Sequence, residues 1–228
     1  MKELLTFSPS SILFTSRTLQ PMESYADTFD TKFESRFNCG HVIDPERQLK
    51  VCVVKKLKDG KKMLFNFKTK DDSDLKTQLG QYVLELVKAT PKGMVIFFAS
   101  YTAMSNFYQA WEHNGIIPKI RKIKVVCREM KNSKQFKYSF KTFKENCKKK
   151  GALFLAVCSG KLSEGIDFTD EMARMVIMIG VPFPPTQSPS VIRKKKYLDQ
   201  RIKEATKEKQ RRSRETAGHK SRTVINFT

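Results

Sequence analysis

The chain is 228 residues long and carries 44 Lys and Arg against 23 Asp and Glu, a formal net charge of +21. That excess calls for an anionic partner, while 39% hydrophobic residues and 17 Phe exclude wholesale disorder and suit one large or two small domains. No run approaches the roughly 18 apolar residues of a membrane span, and MKELLTFSPSSILF lacks the features of a signal peptide, so a soluble intracellular protein is expected.

In chain order, the apolar run 12–15, closed by Ser16, Arg17 and Thr18 and followed by Pro21 and an amphipathic stretch to Phe29, predicts strand, loop and short helix. Val51, Val53 and Val54 predict a second strand, ended by the Asp59-Gly60 turn. Leu75, Leu79, Tyr82, Val83, Leu86 and Val87 recur at helical spacing, so one face of that helix must be buried. Next, Gly93, the apolar residues 94–98, Ser100, and then Ala103, Met104, Phe107, Tyr108 and Trp111 up to Gly115 predict a strand feeding a capped helix. Trp111 should pack against the sheet. A strand over 123–127, a basic helix with Phe136, Phe140 and Phe143, a strand over 152–158 and another over 175–179 follow.

Strands that are apolar on both faces, alternating with helices, indicate an α/β fold with a mostly parallel sheet covered on both sides, RecA-like in order. Residues 193–222 hold thirteen Lys and Arg against four Asp and Glu. A helix is predicted for the first half of that stretch and disorder for the rest.

The five cysteines (Cys39, Cys52, Cys127, Cys147, Cys158) have no C-x-x-C spacing, and the three histidines are dispersed. Reduced, mostly buried thiols and no metal site are expected.

Ligands of parallel α/β proteins sit in loops at the carboxyl ends of strands. Here one such loop reads Ser159-Gly160-Lys161-Leu162-Ser163-Glu164-Gly165-Ile166-Asp167-Phe168. It is not a P-loop, because Leu155 and Leu162 stand where that motif needs Gly and Ser or Thr. Two glycines, an ammonium, a hydroxyl and two carboxylates remain, and composition alone leaves a site and an ordinary polar turn equally open.

The longer string AVCSGKLSEGIDF (156–168), followed by ARMVIMIGVPFPP (173–185), closely resembles motif V and its next strand in the XPD-like iron-sulfur superfamily 2 DNA helicases. GMVIFFASYTAM (93–104) resembles their motif IV and ILFTSRTLQPM (12–22) their motif III. TLQPM (18–22), FNCGHVIDP (37–45), AWEHNGIIPKI (110–120) and YLDQ (197–200) are most similar to the chromosome-loss branch linked to chromatid cohesion.

The resemblance covers about residues 11–200. It implies the second of two RecA-like motor domains: residues 1–20 as the last strand of the preceding domain and crossover, 21–200 as the domain itself, and 201–228 as a basic tail.

Such enzymes couple ATP hydrolysis to 5′-to-3′ movement on single-stranded DNA. The resemblance implies that Gly160, Glu164, Gly165 and Asp167 face the nucleotide cleft, with Lys161 and Ser163 linking it to DNA. Ser100 and Tyr101 would meet a DNA phosphate, although Ser100 also suits an N-cap. Thr15, Ser16, Arg17 and Thr18 would form the coupling loop. ATP and Mg²⁺ are expected only together with a first motor domain, and no iron-sulfur cluster is expected in this segment. Arg174 resembles a position flanking the last strand in the family, but a lone Arg before a strand is more often a surface ion-pair partner.

Two departures stand out. Arg17 replaces a family glycine, and nothing in 201–228 matches the Q-x-x-G-R-x-x-R helix, whose arginines stabilise charge on the transferred phosphate. Those losses also fit a non-catalytic, basic nucleic-acid-binding or complex-assembly remnant of such a helicase. Lys148, Lys149 and Lys150 and the run 193–196 are phosphate-contact candidates, and the tail clusters suit nuclear targeting.

Overall fold

The structure, a computed structural model, describes residues 2–16, 20–57, 59–65, 69, 71–158, 160–163, 166–183 and 187–222. The chain divides into two units, Met1–Val53 and Val54–Thr228.

Among its described residues, Met1–Val53 holds three short helices, α1 (Lys2–Thr6), α2 (Glu23–Phe29) and α3 (Pro45–Gln48). The predicted short helix is α2, and it ends where Asp30 turns left-handed at φ 51° and donates its N–H to Ala26 O. Residues 11–16 form no strand. Phe14 instead packs its ring on Phe29, with centroids 5.0 Å apart, and against Phe33 at 5.4 Å. An extended run becomes a strand only when a neighbouring strand pairs with it, and among the described residues none forms a ladder with 11–16. The strand predicted at 51–54 is likewise absent, with Val51 and Val53 exposed. Only the turn beyond it forms: the Asp59 carboxylate accepts from the Lys61 N–H at 2.8 Å, and a single antiparallel bridge joins Lys56 to Lys62.

Among its described residues, the second unit is built on four strands, β1 (Gly93–Phe98), β2 (Val125–Arg128), β3 (Ala152–Val157) and β4 (Met175–Ile179), all parallel in the order β2-β3-β1-β4. Helices α4 (Ser73–Ala89), α5 (Tyr101–His113), α6 (Ile116–Ile123), α7 (Ser133–Cys147) and α8 (Pro189–Arg222) complete it. This is the expected RecA-like α/β arrangement.

Alternation along the strands splits the core in two. Met94, Ile96, Phe98, Leu153 and Leu155 pack with apolar residues of α4, α5 and α6 on one face. Val95, Phe154, Ala152 and Ala156 pack with Phe143 and Cys147 of α7 on the other. Truncating a ring such as Phe154 in a core of this kind costs about 3 to 5 kcal/mol. Trp111 is fully buried against Phe98 and Phe107, and its indole N–H donates to Lys76 O at 2.8 Å.

Helix α6 escaped the sequence reading, which placed a strand from residue 123. It starts after Gly115, at φ +70°, and its Pro118 lies in the first turn, where no intrahelical donor is lost. Its Ile116, Ile117 and Ile120 are buried. The tail also differs from expectation, since α8 stays helical to Arg222. Lys, Arg, Glu, Gln and Ala are good helix formers, and Gln200 bonds Glu204 one turn on at 3.0 Å. Of the cysteines, Cys127 and Cys147 are buried, whereas Cys39 and Cys52 are exposed, so the thiols are less buried than expected.

Candidate functional site

Parallel strands bring four loop starts to one edge: residues 99–101 after β1, 129–133 after β2, 158, 160–163 and 166–168 after β3, and 180–183 after β4. Their hub is Glu129, a residue the sequence reading passed over. Its backbone N–H extends the ladder by donating to Leu155 O at 2.8 Å, which turns the side chain inward to 1% exposure.

A buried carboxylate survives only when its oxygens are hydrogen-bonded. Glu129 Oε2 accepts from the Val157 N–H at 3.0 Å; Oε1 accepts from the Lys161 N–H and the Tyr101 hydroxyl, each at 2.7 Å. One side chain therefore ties the end of β3, its loop and the first turn of α5.

Gly160 lies directly against this carboxylate. A β-carbon there would stand 2.9 Å from Glu129 Cδ and closer still to Oε1. The glycine is thus required by close approach. Leu162, fully buried beside the α7 cluster, anchors the loop from below, which accounts for an apolar residue where a P-loop has a hydroxyl.

Tyr101, expected at DNA, spends its hydroxyl on Glu129. Burial first, and then the facing carboxylate, push its phenol up to about 12, so it stays a neutral donor. The Ser100 hydroxyl accepts from the Ala103 N–H at 3.1 Å, so it is the N-cap of α5.

The Lys161 ammonium donates to Lys131 O at 2.5 Å and to Ser133 Oγ at 2.9 Å, 6.0 Å from the Phe136 ring centroid. Ser163 closes the turn, its hydroxyl donating to Gly160 O at 2.8 Å. Asp167 is exposed on the same loop. The structure thus gathers Ser100, Tyr101, Gly160, Lys161 and Ser163 at one edge.

Glu164, Gly165, Arg17 and Thr18 lie outside the described residues. Thr15 and Ser16 belong to the first unit, exposed in irregular chain. Arg174 starts β4 through its N–H to Gly93 O at 2.9 Å, with an exposed side chain. Lys150 donates to Arg121 O at 3.1 Å, whereas residues 193–196 are exposed on α8.

Among the described residues no three His, Cys, Asp or Glu gather as metal ligands. Burial holds the Cys127 and Cys147 thiols up at about 11, far from nucleophilic character. A signal for Glu129 was present, namely a lone acid between a strand's end and a basic stretch, but its partners stand 28 and 32 residues away.

The model of the family described as helicase C-terminal domain matches residues 83–217, more than half of the chain. The chain belongs to the helicase C-terminal domain family. The matched stretch of this helicase domain runs from within α4 into α8 and holds Glu129 and all its partners.

Among its relatives are the "Regulator of telomere elongation helicase 1 homolog" proteins of Drosophila persimilis and Drosophila willistoni, each 33% identical over 200 residues, and that of Drosophila melanogaster at 32%. Each alignment covers 87% of this chain and 20% of the relative, so the helicase domain spans about a fifth of their length. The finer likeness to the chromosome-loss branch rests on the sequence strings alone.

Proposed function

We propose that this chain is the second motor domain of an ATP-dependent DNA helicase that moves 5′-to-3′ on single-stranded DNA. It acts in the nucleus, in repair, replication or chromatid cohesion, and is completed by a first motor domain. The observation that carries the reading is the Glu129 junction. It holds the motif V loop and the motif IV turn as one body, the link that a motor needs between nucleotide and DNA.

In this reading Gly165 and Asp167 face ATP, which supplies the free energy of movement, and the edge of Ser100, Lys161 and Ser163 faces DNA. The hollow lined by Leu57, Gln78, Gln81 and Tyr82 is water-sized and is set against α4. ATP and Mg²⁺ are therefore assigned to a cleft shared with the first domain. When Asp167 shifts, the loop shifts with it. Because the Lys161 N–H and the Tyr101 hydroxyl share Glu129 Oε1, the displacement reaches the start of α5.

A specific observation favours a second reading, a non-catalytic nucleic-acid-binding remnant: α8 carries Gln210-Arg211-Arg212 and no Q-x-x-G-R-x-x-R.

The test is phosphate release by the protein immunopurified from its source cells with an antibody to residues 93–168. Release stimulated by single-stranded DNA, lost in Asp167→Ala and uncoupled from DNA in Lys161→Ala, supports the motor. DNA binding with no release supports the remnant. The pure 26.4 kDa chain, which encodes no P-loop, should show negligible release either way.

A further inference from the structure

Helix α7 carries two faces with different purposes. Phe136, Phe140, Phe143 and Cys147 recur at i, i+4, i+7 and i+11 and turn toward the sheet. Lys134, Lys137, Lys141, Lys144 and Lys148 recur at i, i+3, i+7, i+10 and i+14, and all five are exposed. At about 100° per residue they fall within an arc of about 80° and run about 21 Å along the helix. The packing of α7 needs none of them. Two acids lie close to this arc: Glu145, 3.9 Å from Lys141 in an exposed pair that contributes little, and Glu171, whose carboxyl is held low first by its hydrogen bond from Lys92 and also by the charge of Lys148.

The upper end of the stripe meets the candidate site. Ser133, the first residue of α7, receives the Lys161 ammonium, and Lys131 stands beside it with its ammonium 5.5 Å from the Tyr101 ring centroid. Lys161, Lys131, the four lysines of α7 and Lys148 at its C-cap therefore form one basic track, leading from the loop after β3 down the outside of the domain. Half-buried Phe136 borders the track on one side and Tyr138, 75% exposed, on the other. Cations with flanking rings suit a strand of phosphates and bases, since phosphates bind ammonium groups without regard to sequence and bases stack on aromatic faces.

We propose that the α7 lysine stripe is a second nucleic-acid contact surface, one that carries a single strand from the Lys161 edge along the outside of the domain. The proposal rests on the nucleic-acid part of the functional reading above. It includes Lys148 and leaves out Lys150, whose ammonium is held by Arg121 O.

The test uses the full chain and a fluorescent single-stranded oligonucleotide, titrated by anisotropy across a salt series. Lys137→Gln/Lys141→Gln/Lys144→Gln is compared with Lys55→Gln/Lys119→Gln/Lys122→Gln, which removes equal charge from exposed positions elsewhere. Each lost phosphate contact lowers the slope of log affinity against log salt by about 0.7, so the stripe variant should lose about 2 units of slope and bind about tenfold more weakly at low salt. The control should change neither. Far-ultraviolet circular dichroism confirms that both variants keep their helices.

Equal behaviour of the two variants would overturn the stripe; if Lys161→Ala still weakens binding, the functional reading stands without it. Absence of binding by the native chain at any salt would sink both. Polyglutamate of equal charge displacing the oligonucleotide as well as unlabelled DNA does would show a general polyanion surface and also overturn the proposal.

Discussion

Gly160 and Glu129 compete for one volume: the β-carbon that any other residue would place at 160 lies 2.9 Å from the Glu129 carboxyl carbon. The carboxylate cannot step aside, because three donors from two segments hold it. Gly160→Ala should therefore destabilise the chain by about 1 to 3 kcal/mol, as overpacking does. Urea denaturation measures the loss, and hydrogen exchange should show the Lys161 amide released first. An unchanged urea midpoint would mean the loop tolerates a side chain there.

Glu129 and Tyr101 should be energetically coupled. Tyr101→Phe removes one donor, and Glu129→Gln turns an NH₂ group toward N–H donors, with each change expected to cost about 1 to 3 kcal/mol. In a double-mutant cycle the pair should show a coupling of about 0.5 to 3 kcal/mol. Additive losses would show that the 2.7 Å hydrogen bond contributes nothing.

Alkaline pH should weaken the same contact. The folded phenol of Tyr101 titrates near 12 against an ordinary value of 10.0, so the fold binds its proton more tightly than the unfolded chain does. Its contribution to stability is complete below pH 10 and disappears as pH rises from about 10 to about 12. Ultraviolet difference titration should find two late-ionising tyrosines among the six, Tyr101 near 12 and Tyr108, which burial and then the Glu112 carboxylate also raise, and Tyr101→Phe should remove the step near 12 and flatten the stability curve over the same interval. A step near 12 that survives in Tyr101→Phe belongs to another residue.

How much of this was legible in the sequence follows from the range of each interaction. Helix α4, the β1 to α5 unit, α7, β3 and β4 announce themselves because their buried residues recur at local periods, as at Val83, Val87, Phe140 and Phe143. The valines at 51, 53 and 54 carry the same local signal as a true strand, but a strand also needs a distant neighbour, which composition does not reveal. The charge of α8 suggested disorder, while its individual residues are helix formers. Lys161 was legible from its motif string. Glu129 was not, since its role depends on donors that only the folded sheet brings together.

Gly80 offers a prediction whose sign runs against propensity. In the interior of an exposed helix, Gly→Ala gains about 1 kcal/mol. At position 80 the added carbon would meet Trp111 Nε1 at 2.5 Å and Ile116 Cδ1 at 2.6 Å, and the indole is fixed by Lys76 O. Gly80→Ala should therefore lower the thermal midpoint and shift emission of Trp111, the sole tryptophan, toward the red as water reaches it. A raised midpoint would show that α4 can move away from α5 at little cost.

Among the described residues strand β4 ends the sheet, and its Val176 and Met178, continued by Val181 and Phe183, are exposed beside a row of backbone donors and acceptors that no described strand shares. An unprotected rim of that kind is a template for the next molecule. Produced by itself, the chain will be limited by solubility before stability: precipitates will nucleate along β4 despite the net charge, and lysine or glutamate at 176 and 178 is the remedy that leaves the core untouched.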